Sequence, residues 1–224
     1  MNAAELVAHL RTLGNPADAA GQRRFGINTK DELLGIRAPV LRELGRQHRR
    51  NHELALDLWE TRVHEARVLA SLVDDPRAVT RSQMEQWARE CDNWAAADAC
   101  CCVLFDRTGF AIEKAHAWSR RKAEYVKRCG FVLMAGLAVH RKELPDRVFL
   151  DFLPVIRREA GDGRNFVKKA VNWALRQIGK RNPRLCGAAI AEAERIRKLG
   201  SPSARWIAAD ALRELNRRRA RRDG

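Results

Sequence analysis

The sequence predicts an all-α fold, a right-handed superhelical solenoid built from short antiparallel helices. Alanine alone contributes 34 residues, whereas valine, isoleucine and threonine together contribute 27 and rarely alternate with polar residues. Strand signals are therefore almost missing. Apolar residues recur instead at the i, i+3, i+4, i+7 spacing of an amphipathic helix, and turn residues separate these stretches.

Four stretches carry the helical period most clearly: residues 63–72, 125–140, 166–178 and 204–215. Turns, caps and first-turn prolines separate the predicted helices at residues 75–76, 108–109, 144–145, 161–163, 182–183 and 201–202. No linker long enough to separate two domains is visible. We therefore expect one helical-repeat domain over residues 1–215.

Positive charge dominates the chain, which carries 43 Lys and Arg against 28 Asp and Glu, a formal net charge of +15. Five arginines fall in residues 216–224, which lack an apolar anchor, and we expect this segment to be a disordered basic tail. Without the five arginines and one aspartate of this tail, the body keeps a net charge of +11. A solvated surface could account for part of the excess, but the excess favours a polyanionic partner, and nucleic acid is the commonest one.

Several classes of protein are disfavoured by the sequence. The longest apolar run, residues 129–139, has 11 residues, whereas about 20 are needed to cross a bilayer. The first residues show no signal-peptide pattern, so we expect a cytoplasmic protein. We also expect it to act as a monomer. The six cysteines contain no C-x-x-C pair, and Cys100, Cys101 and Cys102 would point about 100° apart on a helix. We therefore expect no metal, no cofactor and no disulfide.

Alignment of the helices on their apolar pattern suggests a degenerate repeat. The positions that it brings into register lie 30 to 41 residues apart, near the period of HEAT and armadillo-type repeats, and are Arg67, Asp98, Arg128, Lys169 and Arg205. Equivalent positions in a solenoid line one face, usually the concave binding face. Four of the five are cationic, which suits a phosphate backbone. Asp98 is the exception, and it is either a salt-bridge partner of Arg67 or Arg128 or a residue with a chemical role.

Three aromatic residues accompany these positions at helical spacing. Trp94 precedes Asp98 by four residues, Trp173 follows Lys169 by four, and Tyr125 precedes Arg128 by three. Each could be an ordinary core aromatic. Together with the carboxylate and the cations, they could also hold a cationic base or stack on a sugar.

The chain resembles the AlkD-like family of bacterial DNA alkylation repair glycosylases, which are built from HEAT-like repeats, from about Ala4 to Leu215. The most specific stretches are LGIRAP at residues 34–39, NWAAAD at residues 93–98, YVKR at residues 125–128 and VKKAVNWALR at residues 167–176. The family's W-x-x-x-D pattern falls on Trp94 and Asp98, and its second cleft tryptophan falls on Trp173.

The resemblance implies further positions. The family's cleft arginine matches Arg128, and the aromatic three residues before it matches Tyr125, where some relatives have tryptophan. Ala95, Ala96 and Ala97 stand where family members often carry a bulkier residue, and Arg37 stands where some relatives have a neutral polar one. These departures bear on the range of substrates.

The resemblance implies a glycosylase that excises cationic N3- and N7-alkylpurines from duplex DNA without flipping the base. In that hypothesis Asp98 stabilises the sugar cation, and Trp94 and Trp173 hold the deoxyribose. The DNA-binding residues are Arg128 and Tyr125, with Lys169, Arg67, Arg205 and Arg37 as further phosphate contacts. Two alternatives stay open: a non-catalytic nucleic-acid binder with the same basic stripe, and a scaffold for protein partners with the aromatics in its core.

Overall fold

The computed structural model describes the backbone of residues 1–223 and the side chains of residues 1–221. Within this part of the chain the secondary structure is helical, apart from an isolated parallel bridge between Glu32 and Val63, and the all-α prediction is confirmed. None of the described helices is both long and apolar enough to cross a membrane. The chain divides into two compact units, Met1–Thr108 and a second unit that begins at Gly109.

The first unit contains seven short α-helices among its described residues, and five of them begin at a side-chain cap. Asn2, Asn15, Asn51, Thr80 and Asn93 each accept a hydrogen bond from a backbone N–H of the first helical turn. The helices are α1 (Ala3–Thr12), α2 (Pro16–Arg24), α3 (Ala38–Gln47), α4 (His52–Glu60), α5 (His64–Val73), α6 (Arg81–Glu90) and α7 (Trp94–Ala99). A π-helical turn (Cys100–Leu104) and a 3₁₀ turn (Phe105–Arg107) follow α7 directly.

Two tryptophans form the centre of the first unit's core. The rings of Trp59 on α4 and Trp87 on α6 stack with centroids 4.1 Å apart and planes 3° apart, and Phe105 lies against Trp87. Helix α5 packs against α3, α4 and α7, so α5 is the central helix of this unit. Its contact with α3 is close at Gly45, where a Cβ atom would lie 2.6 Å from the Cβ atom of Leu72.

The second unit is built around the packing of α9 against α11. Helix α9 is buried almost throughout from Arg128 to Ala138, and it packs chiefly against α8 and α11. The helices of this unit are α8 (Ala111–Trp118), α9 (Glu124–His140), α10 (Asp146–Glu159), α11 (Asn165–Gly179), α12 (Pro183–Arg197) and α13 (Pro202–Asp223).

The basic segment at the end of the chain differs from the expectation. Helix α13 continues through Asp223, whereas we expected residues 216–224 to be disordered; Gly224 lies outside the described residues. Once the first part of α13 is anchored by buried residues such as Ile207 and Leu215, adding a further residue fixes only that residue's backbone. Arginine and alanine are strong helix formers, and Arg218 also donates a hydrogen bond to the carbonyl of Lys180.

Candidate functional site

Helix α7 places Trp94 and Asp98 on the wall of one cleft in the first unit. The cleft has a volume of about 350 Å³, and both side chains are half-buried in it. Most of its remaining wall is apolar and comes from α3, α5 and the segments before α3 and after α7, including Ile27, Ile36, Leu41, Val68, Leu72 and Val103. A carboxylate and an indole one helical turn apart therefore share a largely apolar cleft, as their spacing in the sequence predicts.

The start of α7 is fixed by the two residues before Trp94. The side-chain oxygen of buried Asn93 accepts hydrogen bonds from the N–H groups of Ala95 and Ala96 at 3.0 and 3.1 Å. Asp92 accepts a hydrogen bond from the backbone N–H of Lys30 at 2.7 Å. These contacts fix the start of α7 and join it to the backbone at Lys30.

Trp94 is itself oriented by a hydrogen bond. Its indole Nε1 donates to the main-chain carbonyl of Phe25 at 3.0 Å. Phe25 ends α2, and its own side chain is 80% exposed, the largest exposed fraction among the large hydrophobic residues described. The segment after α2 therefore holds one edge of the indole while the rest of the ring lines the cleft.

The LGIRAP stretch forms the turn that leads into α3, and a buried carboxylate organises it. Both oxygens of Glu65 on α5 accept hydrogen bonds from backbone N–H groups: Leu34 at 3.0 Å, Gly35 at 2.7 Å and Ile36 at 3.2 Å. Gly35 has φ +80°, and a Cβ atom there would lie 2.2 Å from the carbonyl oxygen of Asn15, so only glycine fits. Glu65 thus fixes the wall of the cleft that carries Ile36.

His64, the neighbour of Glu65, also lines the cleft and is buried. Burial lowers the pKa of its imidazole, although the nearby carboxylates of Glu65, Asp92 and Asp31 oppose that shift. Its Nδ1 lies 3.4 Å from the side-chain nitrogen of Asn93. The imidazole is therefore neutral near pH 7 and adds little positive charge to the cleft.

Arg67, which we expected to contact DNA, lies buried inside the first unit. It is 3% exposed, its Nε donates to the carbonyl of Trp59 at 3.0 Å, and its guanidinium pairs with Asp31 and Glu90, each at 3.0 Å. The guanidinium also lies 4.7 Å from the centroid of the Trp59 ring. Arg67 therefore stabilises the core and directs its charge at these acids instead of at Asp98.

The repeat register consequently fails at α5. This helix turns His64, Glu65, Val68 and Leu72 toward the cleft that contains Asp98, while Arg67 points into the core. The alignment had put Arg67 at the position of the repeat that faces the cleft, but the next residue, Val68, occupies it. A shift of one residue rotates a helical position by about 100°, which is enough to move it to another face.

Arg37 remains at the surface of the first unit. It precedes α3, and its guanidinium pairs with Asp18 at 2.8 Å. Hydrogen bonding to Arg37 lowers the pKa of the Asp18 carboxyl. An exposed pair of this kind contributes little stability, so phosphate could compete for the arginine.

The second unit contains the other predicted site residues. Tyr125 and Arg128 on α9 both contact Phe166 on α11: the two rings are 5.9 Å apart, and Arg128 Nη1 donates to the Phe166 carbonyl at 2.7 Å. Arg128 is 6% exposed. The YVKR stretch thus links α9 to α11, and its Lys127 pairs with Glu159 at 2.6 Å.

Trp173, Lys169 and Arg205 also belong to the second unit. Trp173 is half-buried on α11, whereas Lys169 and Arg205 are exposed. The guanidinium of Arg205 donates to the carbonyl of Gly200. The neighbouring Lys168 places its ammonium 4.8 Å from the centroid of the Trp206 ring, a cation–π contact that the sequence did not predict.

Three residues near Trp94 and Asp98 were missed at the level of sequence: Glu65, His64 and Phe25. Glu65 and His64 lie in the helical stretch that carries Arg67, but their partners are about 30 residues away: backbone N–H groups for Glu65 and the Asn93 side chain for His64. Phe25 acts through its carbonyl, which any residue possesses, so no side-chain pattern could have found it.

The comparisons with known proteins agree with this all-helical architecture. A family model described as DNA alkylation repair enzyme matches residues 6–222. The chain is a member of this family. No curated protein gives a significant match to the chain.

One solved structure supports the fold of this DNA alkylation repair family member. It comes from a family described as related to the HEAT-like repeat DNA glycosylases, with affinity for branched DNA structures. The TM-score is 0.77 at 18% identity, and the match covers 87% of this chain and 83% of that chain. The fold is therefore of the HEAT-like repeat type, as predicted, and membership of the repair family implies that the protein binds DNA.

Proposed function

We propose that this protein is a DNA glycosylase that hydrolyses the N-glycosidic bond of cationic N3- and N7-alkylpurines in duplex DNA. The observation that carries the proposal is the pairing of Trp94 and Asp98 in one largely apolar cleft of about 350 Å³. A protein that only bound the DNA backbone would gain nothing from a carboxylate at such a place. Membership of a family of DNA alkylation repair enzymes supports alkylated DNA as the class of substrate.

The chemistry of a cationic alkylpurine suits this cleft. The base already carries a positive charge, so it leaves C1′ as a neutral molecule and needs no general acid. The sugar that remains has oxocarbenium character, and water adds to C1′ and loses a proton. The carboxylate of Asp98 stabilises the sugar cation, and apolar walls strengthen that interaction because they lower the local dielectric constant. The face of Trp94 adds a further attraction for positive charge.

The second unit supplies the remaining proposed contacts. Trp173 holds the deoxyribose, and Tyr125 and Arg128 contribute through the α9–α11 link, with Lys169 and Arg205 as exposed phosphate ligands. Arg37 is a phosphate ligand of the first unit. The substrate is alkylated duplex DNA in the bacterial cytoplasm, where the protein acts as a monomer and needs no cofactor.

Two features bear on the mode of reaction. The described lining of the cleft contains no lysine, which supports a monofunctional glycosylase without Schiff-base lyase activity. The cleft also grips sugar and phosphate in this proposal, so the damaged base stays stacked instead of entering a pocket, and bulky adducts are tolerated.

The alternative is that this chain is a non-catalytic DNA-binding protein. The similar solved structure, from a family with affinity for branched DNA structures, supports this alternative. The test is incubation of the full chain in excess with methylated duplex DNA, followed by chromatography of the released bases. The proposal expects free 3-methyladenine or 7-methylguanine, an equal number of abasic sites and no strand cleavage by the protein. Tight binding without release of either base would overturn the proposal in favour of the alternative.

A further inference from the structure

A second groove in the first unit is lined by arginines and opens beside the cleft. This groove, called the α3 groove, has a volume of about 490 Å³. Its lining includes the following residues of α3 and its surroundings: Arg42, Arg46, Arg49, Leu72, Val103 and Arg107. No acidic residue is among the described residues that line it.

Among the described residues, three of its four arginines have no acidic partner. Arg46 pairs with Glu43, but the side chains of Arg42, Arg49 and Arg107 form no ion pair or hydrogen bond within the part of the chain that the structure describes. Some exposed arginines elsewhere in this unit are paired, as Arg77 is with Asp75 at 2.7 Å. Several unpaired cations in one groove repel one another, so the groove is suited to an anion from outside the protein.

The arrangement of the arginines fits a chain of phosphates better than a single anion. Arg42 and Arg46 lie one turn apart on α3, about 6 Å along the helix axis. Arg49 follows just after the helix end, so the cations form a row. One strand of a DNA duplex presents a phosphate about every 3.4 Å of its axis, so cations about 6 Å apart in this row can face alternate phosphates of one strand. Guanidinium groups also match phosphate oxygens with paired N–H donors.

The α3 groove is continuous with the cleft that holds Trp94 and Asp98. Arg42, Leu72 and Val103 line both of them. A chain that leaves the cleft on this side would pass directly onto the row of arginines. The close approach of α3 to α5 at Gly45 keeps the shared wall narrow, because glycine leaves no side chain between the helices.

We propose that the α3 groove binds the phosphodiester backbone that flanks the nucleotide held in the Trp94–Asp98 cleft. The position of the α3 groove relative to a damaged nucleotide rests on the proposed function. The capacity of the groove to bind a chain of phosphates does not. The sequence analysis expected Arg67 to provide the phosphate contact of this region. In this proposal the arginines of the α3 groove provide that contact instead.

The first test measures binding to undamaged duplex, so its result does not depend on catalysis. The variant R42Q/R49Q/R107Q is compared with R147Q/R197Q/R213Q, which loses the same charge from exposed arginines that each pair with an acid on their own helix. The logarithm of the binding constant is plotted against the logarithm of salt concentration. Removing three phosphate contacts should make the slope shallower by roughly 2 to 3, since each contact contributes about 0.9.

The control variant should keep the slope of the unmodified protein. Equal losses of slope in both variants would overturn the proposal, because binding would then follow net charge alone. An unchanged slope in R42Q/R49Q/R107Q would also overturn it. Melting temperatures confirm that both variants are folded.

The second test locates the groove relative to the cleft. The duplex contains a tetrahydrofuran abasic analogue, and neutral methylphosphonates replace two phosphates on one side of it or on the other. The unmodified protein should bind the duplex more weakly when the methylphosphonates are on one particular side. R42Q/R49Q/R107Q should bind that duplex as well as it binds the duplex without methylphosphonates. An equal loss in both proteins would contradict the assignment, even if alkylpurine release had been demonstrated.

Discussion

The indole nitrogen of Trp94 donates a hydrogen bond to the main-chain carbonyl of Phe25 at 3.0 Å, which joins the aromatic wall of the cleft to the end of α2. The ring therefore has two roles that can be separated by mutation. Its N–H fixes its orientation, and its face contributes to the cleft.

Replacement of Trp94 tests these two roles. Trp94→Phe keeps an aromatic face but leaves the Phe25 carbonyl without this donor. The free energy of unfolding should therefore fall by about 1 kcal/mol. Single-turnover release of 7-methylguanine should fall only a few-fold, because the aromatic face remains. Trp94→Ala also removes the face, so we expect a further loss of roughly 2- to 30-fold, the range given by a cation–π interaction of about 0.5–2 kcal/mol. Equal rates for the two variants would show that the aromatic face has no part in the reaction.

Arg67 should act on stability and not on DNA binding. Arg67→Ala leaves Asp31 and Glu90 without their buried cation, and the free energy of unfolding should fall by about 3–5 kcal/mol. Chemical denaturation measures that loss, and affinity for duplex DNA is measured at a temperature where the variant is folded. Normal stability with weakened binding would restore the original prediction for this residue.

The pH dependence of stability should reveal Asp162, which accepts hydrogen bonds from Arg164 and pairs with Lys127. The side-chain hydrogen bond from Arg164 is the main reason that the pKa of Asp162 is lowered to about 2. A lowered pKa stabilises the fold above the ordinary value near 4, and this stabilisation is lost as the pH falls from about 4 to about 2.

Asp162→Asn should therefore lower the free energy of unfolding by about 2 kcal/mol at neutral pH. The difference from the unmodified protein should shrink between pH 4 and about pH 2, as measured by urea denaturation at each pH. A difference that stayed constant over this range would rule out the ionised carboxylate as its source.

Local helical geometry explains what the sequence predicted well. Trp94 and Asp98 share a helix face because residues four apart always do on a regular α-helix, and the structure places both on one cleft. The helical character of the chain follows in the same way from its apolar spacing. Neither inference needs knowledge of which helices contact one another.

The errors concern properties that depend on tertiary packing. The rotation of α5 is set by its contacts with Trp59, Asp31 and Glu90, and the apolar pattern alone could not decide whether Arg67 or Val68 faces the cleft. The three backbone partners of Glu65 are likewise distant in sequence. At the basic end of the chain the sequence reasoning weighed charge above the strong helix propensity of arginine, and α13 extends through Asp223.

Asp98 carries the central claim, and Asp98→Asn tests it because the substitution keeps the shape of the side chain but removes its charge. Loss of one preorganised electrostatic partner typically lowers a rate by about 10²–10³. Affinity for undamaged duplex should not fall, since a negative charge has left a surface that binds phosphates. Asp57→Asn, which changes an exposed aspartate on α4 outside the cleft, is the matched control.

The decisive measurement is single-turnover release of 7-methylguanine from methylated duplex by Asp98→Asn, alongside duplex affinity and melting temperature. We predict release slowed by about 10²–10³ with duplex affinity intact, while Asp57→Asn keeps the rate of the unmodified protein. Near-normal release from a variant with a lowered melting temperature would contradict the account, because Asp98 would then be a structural ion-pair partner and not the residue that stabilises the sugar cation.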